Sequence, residues 1–583
     1  MSKQKVQREK SLQKKKKQII PVDSPHTQRI LTPSMINLII IIIICLAPFV
    51  DKAFHIDDPL FLWTAKHIQN HPLDFYGFSV NWYGTEMAMS DITKNPPLAS
   101  YYIAIVASII GWSEIALHLA FLIPAIGAIL GTYLLARQFC LQPAAAALSG
   151  MLTPVFLVSS TNVMCDTMML AFWVWAVYFW VQGLGKNKSH FLFLSALFIS
   201  ASALTKYYGV SLIPLLFLYS IFKRRSVGRW AFFLLIPVII LAGYQWATFV
   251  LYGKDLLIDA ISYTSGVRQA ESTGIFSKGL IGLAFTGGCL ISVLFYSPLI
   301  WSKRVMAIGV FLIALSALTL PLIKTIGTFQ LHDGNGVRWG IVIQFCLFAV
   351  AGVSLLALAA LDLWKRRDAI SLLLFMWIFG TFVFASFINW TVNGRSILPM
   401  APAAGILLMR RISQQSESSQ PGSHRAAYWP LIPAVLISLL VTWSDYTLAN
   451  TARSAAFVIH NKYKSHDSTL WFQGHWGFQY YMESVGGKAF DLKYSELTRG
   501  DIVIIPLQGT NLYPLHPDYA KLHQQIQFYP CRWLTTISHS TGSGFYSHFY
   551  GPLPFAAGSV PFEEYYVFSV IKSIRYVPQK DIK

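Results

Sequence analysis

Residues 36–50 read INLIIIIIICLAPFV and are followed at once by the polar stretch DKAFHIDDP at 51–59. The first stretch is almost wholly apolar, which predicts a helix in a membrane. Similar runs recur along the chain, in which 54% of residues are hydrophobic and only 13% are charged. Because soluble domains carry about 25% charged residues, this composition excludes an ordinary soluble enzyme and a disordered chain. It predicts a polytopic α-helical membrane protein.

The positive charge of the chain is concentrated at its N-terminus. The formal net charge is +19, and residues 1–29 contain nine Lys or Arg against two acidic residues. Basic residues beside a first apolar run are typical of a cytoplasmic end held at an anionic leaflet. We therefore expect residues 1–35 to form a basic cytoplasmic tail, and we expect no nucleic-acid partner. The apolar run lacks a small-residue cleavage site and is expected to stay as an anchor.

The six cysteines favour neither a disulfide framework nor a zinc site. None of them forms a CxxC pair, and five lie in or beside apolar segments. The lack of evident outer disulfides agrees with a bacterial plasma (inner) membrane better than with an oxidising lumen.

The apolar runs predict about thirteen spans in a transmembrane domain over residues 36–444. They lie near 36–50, 115–136, 143–161, 166–183, 190–205, 207–222, 230–251, 277–300, 304–323, 340–362, 369–389, 397–410 and 427–444. Residues 97–112 are too short to span and are interpreted as an interfacial helix. Basic loops then all fall on the cytoplasmic side, beginning at Arg137, Lys186, Lys223, Lys303, Lys365 and Arg410.

The same topology puts the first outer loop, residues 51–96, and the polar tail, residues 445–583, outside. The tail is predicted to be a small α/β soluble domain on the outer, or periplasmic, side. A strand is expected in the run 501–505, and glycine-rich turns are expected at 474–477 and 486–487.

Two adjacent carboxylates, Asp57 and Asp58, follow the first span. One interpretation is a general base with a neighbouring acid that tunes or positions it. The alternative is a pair that caps an interfacial helix, because Asp is a good N-cap and Pro59 suits a first helical turn. Asp166, at the outer start of a later span, is a third acid, and it requires a partner or contact with water.

Basic side chains gather on the same predicted side. The first outer loop ends in KNPPL at 94–98, whose prolines fix an extended backbone beside Lys94. The outer cations are candidates to bind an anionic, lipid-linked substrate, and they are Lys94, Lys206, Arg268, Arg338 and Arg395. Candidates for further substrate contacts in the first outer loop and just after it are Trp82, Tyr83, Asn95, Pro96 and Pro97.

The order of these motifs resembles the polytopic GT-C glycosyltransferases, specifically the branch of protein O-mannosyltransferases and the lipid A aminoarabinose transferase. Asp57-Asp58 resembles the acidic pair of their first outer loop, and Asn95-Pro96-Pro97-Leu98 resembles their Pro-Pro-Leu element. Asp166 matches an acid at the start of a later span, and residues 395–399 resemble a late Arg-Tyr-x-x-Pro element. The resemblance covers roughly residues 36–410. Asn95 stands where the family usually has His or Lys, and Ser396 replaces a frequent Tyr.

The resemblance implies transfer of a single sugar from a polyprenyl-phosphate donor to an acceptor hydroxyl on the outer face, with inversion. Asp57 would take the hydroxyl proton, and Asp58 or Asp166 would position the acceptor. Lys94, Lys206 and Arg395 would bind the leaving lipid phosphate.

The predicted partners are the donor, membrane lipids and a protein, lipid or glycan acceptor. No cofactor is expected to be required. A divalent metal stays an open alternative, because His55, Asp57, Asp58 and Asp166, with His332 and Asp333 in another outer loop, offer hard ligands without a diagnostic spacing.

Two other classes of protein share the pattern of many spans with a few charges. A secondary transporter would place those charges near the midplane, whereas here they are predicted at the outer ends of spans. A ligase or flippase for lipid-linked glycans is the second alternative.

Overall fold

The computed structural model describes residues 32–416, 427–464 and 468–575, so most of the predicted basic tail over 1–35 lies outside the described residues. From Leu38 onward the described residues form one compact unit. The α-helices are Pro33–Leu46, Asp58–Asn70, Met89–Ile92, Leu98–Ile110, Glu114–Phe139, Pro143–Met151, Pro154–Ser160, Cys165–Lys186, Ser189–Thr205, Leu212–Arg224, Leu235–Tyr252, Leu256–Ala270, Ile275–Cys289, Ser292–Ile300, Lys303–Thr319, Trp339–Arg366, Ala369–Val383, Gly394–Ile397, Ala401–Ser416, Leu431–Tyr463 and Trp476–Ser484.

Short 3₁₀ or π turns extend several of these helices, at Ala47–Phe49, Tyr207–Ser211, Arg229–Leu234, Leu320–Ile323, Phe384–Ile388 and Leu398–Met400. Six short strands form three hairpins in loops, with strand pairs Ser79–Asn81 and Glu86–Ala88, Thr325–Ile326 and Phe329–Gln330, and His332–Asp333 and Gly336–Val337.

The predicted fold class, a polytopic helical protein with a C-terminal α/β domain, is confirmed. The predicted count of about thirteen spans is not confirmed. Within the described residues seven helices are long and apolar enough to cross a membrane, or up to nine if each of two bent pairs is one span. The helix over the predicted interfacial segment, Leu98–Ile110, has 13 residues, which corresponds to about 20 Å at 1.5 Å per residue.

The two bent pairs explain part of the difference in the count. The predicted span at 143–161 turns by 69° between Met151 and Pro154, and the span at 277–300 turns by 84° between Cys289 and Ser292. A hydropathy window measures only composition, so it does not detect a bend in an apolar run.

Close helix contacts depend on small residues. A β-carbon on Gly150 would lie 2.4 Å from the carbonyl oxygen of Ala401, and one on Gly405 would lie 2.2 Å from the carbonyl oxygen of Ala146. Helices Pro143–Met151 and Ala401–Ser416 therefore approach backbone to backbone, as small residues permit in membrane proteins.

The C-terminal region contains a five-stranded mixed sheet, in the spatial order Ala520–Phe528, Glu563–Val570, Ile502–Pro506, Leu470–Phe472 and Lys488–Ala489. The last three strands pair in parallel, with helix Trp476–Ser484 crossing between Leu470–Phe472 and Lys488–Ala489. The other strands of this region form three two-stranded sheets and are Glu496–Leu497, Leu534–Thr535, Ile537–Ser538, Ser543–Gly544, Ala556–Ala557 and Ile574–Arg575. The last long helix continues to Tyr463, well past residue 444.

The C-terminal domain packs directly on the first loop, residues 51–96. A β-carbon on Gly477, in the first turn of helix Trp476–Ser484, would lie 2.1 Å from the carbonyl oxygen of Phe54. The phenol of Tyr481 accepts a hydrogen bond from the Phe54 amide at 2.9 Å. This helix therefore fixes the backbone that immediately precedes Asp57.

Candidate functional site

A strained turn precedes the two adjacent carboxylates. Ile56 has a φ of 48°, a left-handed conformation that costs a β-branched residue about 1–3 kcal/mol. Two hydrogen bonds close the turn, from the Asp58 amide to the His55 carbonyl at 3.0 Å and from the His55 amide to Asp58 Oδ2 at 2.7 Å. The neighbouring segments therefore impose a conformation that this residue would not adopt by itself.

Asp58 is wholly buried beneath this turn. Burial raises the pKa of its carboxyl to about 7, although the hydrogen bond from His55 and the charge of Lys52 act in the opposite direction. Because Asp58 makes these contacts with the backbone of His55, its side chain stabilises the turn. Asp57 occupies the N-cap position of helix Asp58–Asn70, but its side chain makes no capping hydrogen bond.

The Asp57 side chain instead points to Arg395, whose Nη1 donates to Asp57 Oδ2 at 2.9 Å. Arg395 also interacts electrostatically with Asp166, and Asp166 Oδ1 in turn lies 2.6 Å from Nζ of Lys206. Four predicted site residues thus form one alternating sequence of charges, Asp57, Arg395, Asp166 and Lys206, here called the charge chain.

Two polar atoms of the charge chain have no hydrogen-bond partner among the described residues. Burial lowers the pKa of the Arg395 guanidinium, but the carboxylates of Asp57 and Asp166 outweigh this effect and raise it, so the group stays charged. Among the described residues, no partner reaches Nε of Arg395 or Oδ2 of Asp166. The Asp57 side chain keeps 30% of its surface exposed and that of Lys206 keeps 21%, whereas that of Asp166 keeps 1%.

Three tyrosines lie near enough to Asp57 for its charge to affect them. Burial raises the pKa of the phenols of Tyr83, Tyr263 and Tyr550, and the negative charge of Asp57 raises each further. Their phenols therefore remain protonated. Tyr83, a predicted contact residue, is thus close to Asp57, whereas Trp82 is buried and packs against Trp63 at 6.0 Å between ring centroids.

Lys94 lies at the edge of this tyrosine group. Its Nζ lies 2.5 Å from Oδ2 of Asp259 and 5.4 Å from the ring centroid of Tyr263. Asn95 accepts a hydrogen bond from the Tyr76 phenol at 2.6 Å through its carbonyl, and Pro96 and Pro97 are buried before helix Leu98–Ile110. The Pro-Pro element therefore fixes the end of the first loop and leaves the Lys94 side chain partly accessible.

The two remaining predicted cations lie in other surroundings. Arg268 is in the last turn of helix Leu256–Ala270, the helix that also carries Tyr263. Arg338 precedes helix Trp339–Arg366, donates to the carbonyl of Gln330 at 3.2 Å and lies over the ring of Phe329. In the described part of the chain, no ion pair joins either of them to the charge chain.

A buried ion pair that the sequence analysis missed lies behind the turn at His55–Asp58. Nζ of Lys52 lies 2.5 Å from Oδ2 of Asp445, and both side chains are wholly buried. Asn162 accepts from Lys52 at 2.6 Å, and Tyr546 and Thr536 donate to Asp445 at 3.0 and 2.6 Å. The pair therefore joins the first loop, the segment before Asp166, the last long helix and the C-terminal domain.

A second buried polar cluster, also missed, connects the C-terminal domain to the segment after helix Leu256–Ala270. Glu271 accepts from His548 Nε2 at 2.8 Å, and Nζ of Lys278 lies 2.6 Å from its other oxygen. The Val392 amide donates to His548 Nδ1 at 3.1 Å, which assigns the proton to Nε2. Burial raises the pKa of Glu271, but the hydrogen bonds from His548 and Lys278 outweigh it and lower the value to about 2.

The described residues contain no group of three or more His, Cys, Asp or Glu side chains placed to hold a metal ion. His55 packs edge-on against Tyr546 at 5.5 Å, and His332 and Asp333 form a strand of a separate hairpin.

A comparison with sequence models of protein families agrees with the resemblance that the motifs predict. Residues 94–246 match the sequence model of a family described as dolichyl-phosphate-mannose-protein mannosyltransferase. This stretch includes Lys94, Asn95, Pro96, Pro97, Asp166 and Lys206, and the match confirms the predicted resemblance to the GT-C superfamily. A search of curated proteins gave no match.

Two solved structures are similar in part. The oligosaccharyltransferase AglB from Archaeoglobus fulgidus, in complex with an inhibitory peptide and a dolichol-phosphate, aligns with 14% identity and a TM-score of 0.47 over 78% of this chain. The alignment spans 64% of the length of that protein. ArnT from Cupriavidus metallidurans bound to undecaprenyl phosphate aligns with 11% identity and a TM-score of 0.41, over 81% of this chain and 92% of that one.

Proposed function

We propose that this protein is a membrane glycosyltransferase that moves a single sugar from a polyprenyl-phosphate donor to an acceptor hydroxyl, with inversion. The observation that carries the proposal is the charge chain. It sets an accessible carboxylate, Asp57, beside a guanidinium with a free buried donor, and it adds a second cation, Lys206. A general base next to cations is what displacement of a phosphate leaving group requires.

In the proposed reaction, the acceptor hydroxyl lies against Asp57, among the phenols of Tyr83, Tyr263 and Tyr550. Asp57 removes the hydroxyl proton as the acceptor oxygen forms a bond to the anomeric carbon of the sugar. The bond from that carbon to the phosphate oxygen breaks, and the lipid phosphate leaves with the electron pair. A single displacement of this kind inverts the anomeric configuration.

Arg395 and Lys206 are assigned to the leaving group. A guanidinium has five donors and binds phosphate through two of them at once, whereas an ammonium acts as a point charge. Nη1 of Arg395 donates to Asp57, and its Nε is unpaired among the described residues. The guanidinium is therefore able to contact both the base and the phosphate. Lys94, Arg268 and Arg338 remain proposed contacts to the lipid phosphate or to membrane lipids.

We assign the site to the outer face of a plasma membrane, with a cytoplasmic N-terminus and an outer C-terminal domain, on the strength of the basic loops. Cysteine labelling tests this in intact cells, because the native cysteines other than Cys140 are buried and Cys140 is only partly accessible. A membrane-impermeant maleimide should label Asp518→Cys, which is exposed in the C-terminal domain, and should not label Ser226→Cys, which is exposed beside Arg225. Labelling of both or only of Ser226→Cys would contradict the orientation.

The activity is tested with purified protein and radiolabelled polyprenyl-phosphate sugars. We expect Asp57→Asn to reduce release of free lipid phosphate about 10²- to 10⁴-fold, the usual contribution of a general base, while donor binding is retained. Asp51→Asn is the matched control, because Asp51 accepts from Tyr446 at 3.1 Å and stands outside the charge chain. Equal activity of both variants would overturn the role of Asp57.

A second comparison separates transfer of one sugar from transfer of a whole glycan. Wild-type protein should use a polyprenyl monophosphate that carries one sugar and should not use a polyprenyl diphosphate that carries an oligosaccharide. The opposite preference would favour the ligase class. Uptake of a solute by reconstituted vesicles, without release of lipid phosphate from any donor, would favour the transporter class.

A further inference from the structure

A cavity lies between the first loop and the C-terminal domain, and residues of helix Asp58–Asn70 line it. It is an open cleft of about 520 Å³, here called the loop–domain cleft. Trp63 and His67 of that helix and Asn81 and Glu86 of the hairpin form one wall, and Glu483 and Asp491 of the C-terminal domain form the other. Its volume lies within the range of about 300–1,000 Å³ that is typical of ligand sites.

Hydrogen bonds between the two walls hold this cleft in shape. Asp491 Oδ2 accepts from the Glu86 amide at 2.6 Å, and the Phe490 carbonyl accepts from Asn81 Nδ2 at 3.1 Å. The Leu492 amide donates to the Gly84 carbonyl at 2.9 Å. The chain after the edge strand Lys488–Ala489 is therefore already paired with the first loop. A ligand in the cleft must be recognised by side chains, because the backbone there is not open to an added peptide strand.

The side chains of the loop–domain cleft suit a ligand that is rich in hydroxyl groups. Three carboxylates, from Glu86, Glu483 and Asp491, line it against the single ammonium of Lys66, which is held over the rings of Tyr480 and Trp112. This excess of negative charge disfavours anionic ligands such as phosphates. Carboxylates accept hydrogen bonds from hydroxyls, and the half-buried Trp63 adds an aromatic surface for apolar ring faces.

His67, which lines the same cleft, carries a polar atom without a partner among the described residues. Its Nε2 is buried, and no described side chain or backbone group forms a hydrogen bond with it. A buried polar atom without a partner costs about 1–3 kcal/mol, and a ligand hydroxyl would remove this cost. The ring itself is fixed between His71 and Phe78, at 4.7 and 4.9 Å between ring centroids.

Two of the segments that line the cleft also lead to the proposed catalytic base. Trp63 and His67 lie on the helix that begins directly after Asp57, roughly 9 and 15 Å further along its axis. On the same wall, Asn81 lines the cleft, and Tyr83, two residues later, interacts electrostatically with Asp57. A chain-like acceptor long enough to span this distance would occupy the cleft while its end reaches the carboxylate.

We propose that the loop–domain cleft is a distal acceptor subsite that binds a neutral, hydroxyl-rich glycan, with the reacting hydroxyl of that glycan placed at Asp57. This inference rests on the proposed function and narrows its acceptor from protein, lipid or glycan to a carbohydrate chain. A serine- or threonine-rich peptide is the competing acceptor. The paired sheet edge disfavours such a peptide where it would bind as an added strand.

Direct binding tests the subsite without any transfer reaction. Short neutral oligosaccharides of mannose, glucose and N-acetylglucosamine are titrated into the detergent-purified full-length chain and followed by calorimetry. We expect Trp63→Ala and the nearly isosteric Glu86→Gln each to weaken binding of the best oligosaccharide about tenfold. The matched controls Trp533→Ala and Glu496→Gln, at exposed positions of the C-terminal domain, should leave it unchanged.

Activity then separates the subsite from the proposed function. In transfer assays, Glu86→Gln should raise the KM for a long glycan acceptor about tenfold and leave kcat and the KM for a short one unchanged. Oligosaccharide binding by Asp57→Asn, with transfer lost, supports both proposals. Cleft-dependent binding without transfer by wild type contradicts the proposed function alone. If wild type transfers sugar but Glu86→Gln binds the oligosaccharide as tightly as wild type does, the proposed subsite is wrong. It is also wrong if the cleft binds a serine-rich peptide and no oligosaccharide.

Discussion

The guanidinium of Arg395 lies 2.9 Å from the carboxylate of Asp57, although 338 positions separate the two residues in the sequence. The contact joins the start of the first loop to the short helix Gly394–Ile397, which a 3₁₀ turn connects to helix Ala401–Ser416. It gives Asp57 a partner that leaves 30% of its side chain exposed. A carboxylate that is both fixed and accessible is suited to take a proton from a substrate, and its fixed partner is suited to meet the charge that develops nearby.

The first prediction concerns the planar shape of the Arg395 side chain. Arg395→Lys keeps the positive charge but loses the fork that is able to contact Asp57 and a phosphate together. We expect kcat/KM for the polyprenyl-phosphate donor to fall about 10- to 100-fold, as expected from a loss of roughly 1.5–3 kcal/mol for a hydrogen bond to a charged group. Transfer kinetics at varied donor concentration measure the change.

The matched control for this variant is Arg532→Lys, at an exposed position of the C-terminal domain where the guanidinium lies over Tyr529. It should retain wild-type kinetics. Unchanged donor kinetics in Arg395→Lys would show that charge alone is sufficient at this position and would contradict phosphate binding through the fork.

The second prediction concerns pH and follows from the burial of Asp58. Its folded-state pKa of about 7 lies above the usual value near 4, so between these two pH values the folded protein binds a proton that the unfolded chain has released. Stability from this group is fully present below about pH 4 and declines by about 4 kcal/mol as the pH rises to about 7.

Thermal unfolding in detergent across this pH range checks the sign. In Asp58→Asn the amide oxygen still accepts from His55 but the side chain does not titrate, so the decline between about pH 4 and 7 should be reduced relative to wild type. Parallel pH profiles for the two proteins would contradict a protonated Asp58 in the folded state.

Much of the charge chain could be predicted from sequence because each member is polar at the end of an apolar run. Asp57, Asp166, Lys206 and Arg395 are conspicuous for this reason, since a charge there requires a partner or water. Their pairing could not be predicted, because hydropathy contains no information on which span ends meet. The bends after Met151 and Cys289 were missed for a related reason, since the apolar run is unbroken there.

Lys52 and Asp445 show where the sequence argument failed. Hydropathy predicts that the last span ends at residue 444, which places Asp445 in a soluble tail, where a charge needs no buried partner. In the structure the helix continues to Tyr463 and Asp445 is wholly buried. An acid inside a helix of this kind is itself an indication of a buried partner, and Lys52, at the end of the first apolar run, was available as that partner.

The third prediction concerns this buried pair. Lys52→Met leaves the Asp445 carboxylate buried without its cation, which should destabilise the protein by about 3–5 kcal/mol. The double variant Lys52→Met with Asp445→Leu removes both charges and should recover most of the loss. Thermal unfolding of the two variants and of Asp445→Leu alone gives the coupling between the residues. A double variant less stable than either single one would contradict a pairwise interaction.

The last prediction concerns the contact between the C-terminal domain and the backbone before Asp57. A methyl group at Gly477 would overlap the Phe54 carbonyl at 2.1 Å, and the atom it meets is backbone, which cannot turn away. Gly477→Ala should therefore displace helix Trp476–Ser484 or the turn at His55–Asp58 and cost about 1–3 kcal/mol of stability. Because the displaced turn carries Asp57, transfer activity should fall in the protein that remains folded.

Gly380→Ala is the matched control, since Gly380 also lies in a helix but has no atom within 4 Å of an added β-carbon. It should be neutral or stabilising by up to about 1 kcal/mol, as alanine favours a helix over glycine. If Gly477→Ala matches this control in both unfolding temperature and turnover, the domain does not hold the Asp57 turn. If it loses turnover while its unfolding temperature stays close to that of wild type, the domain positions the base itself.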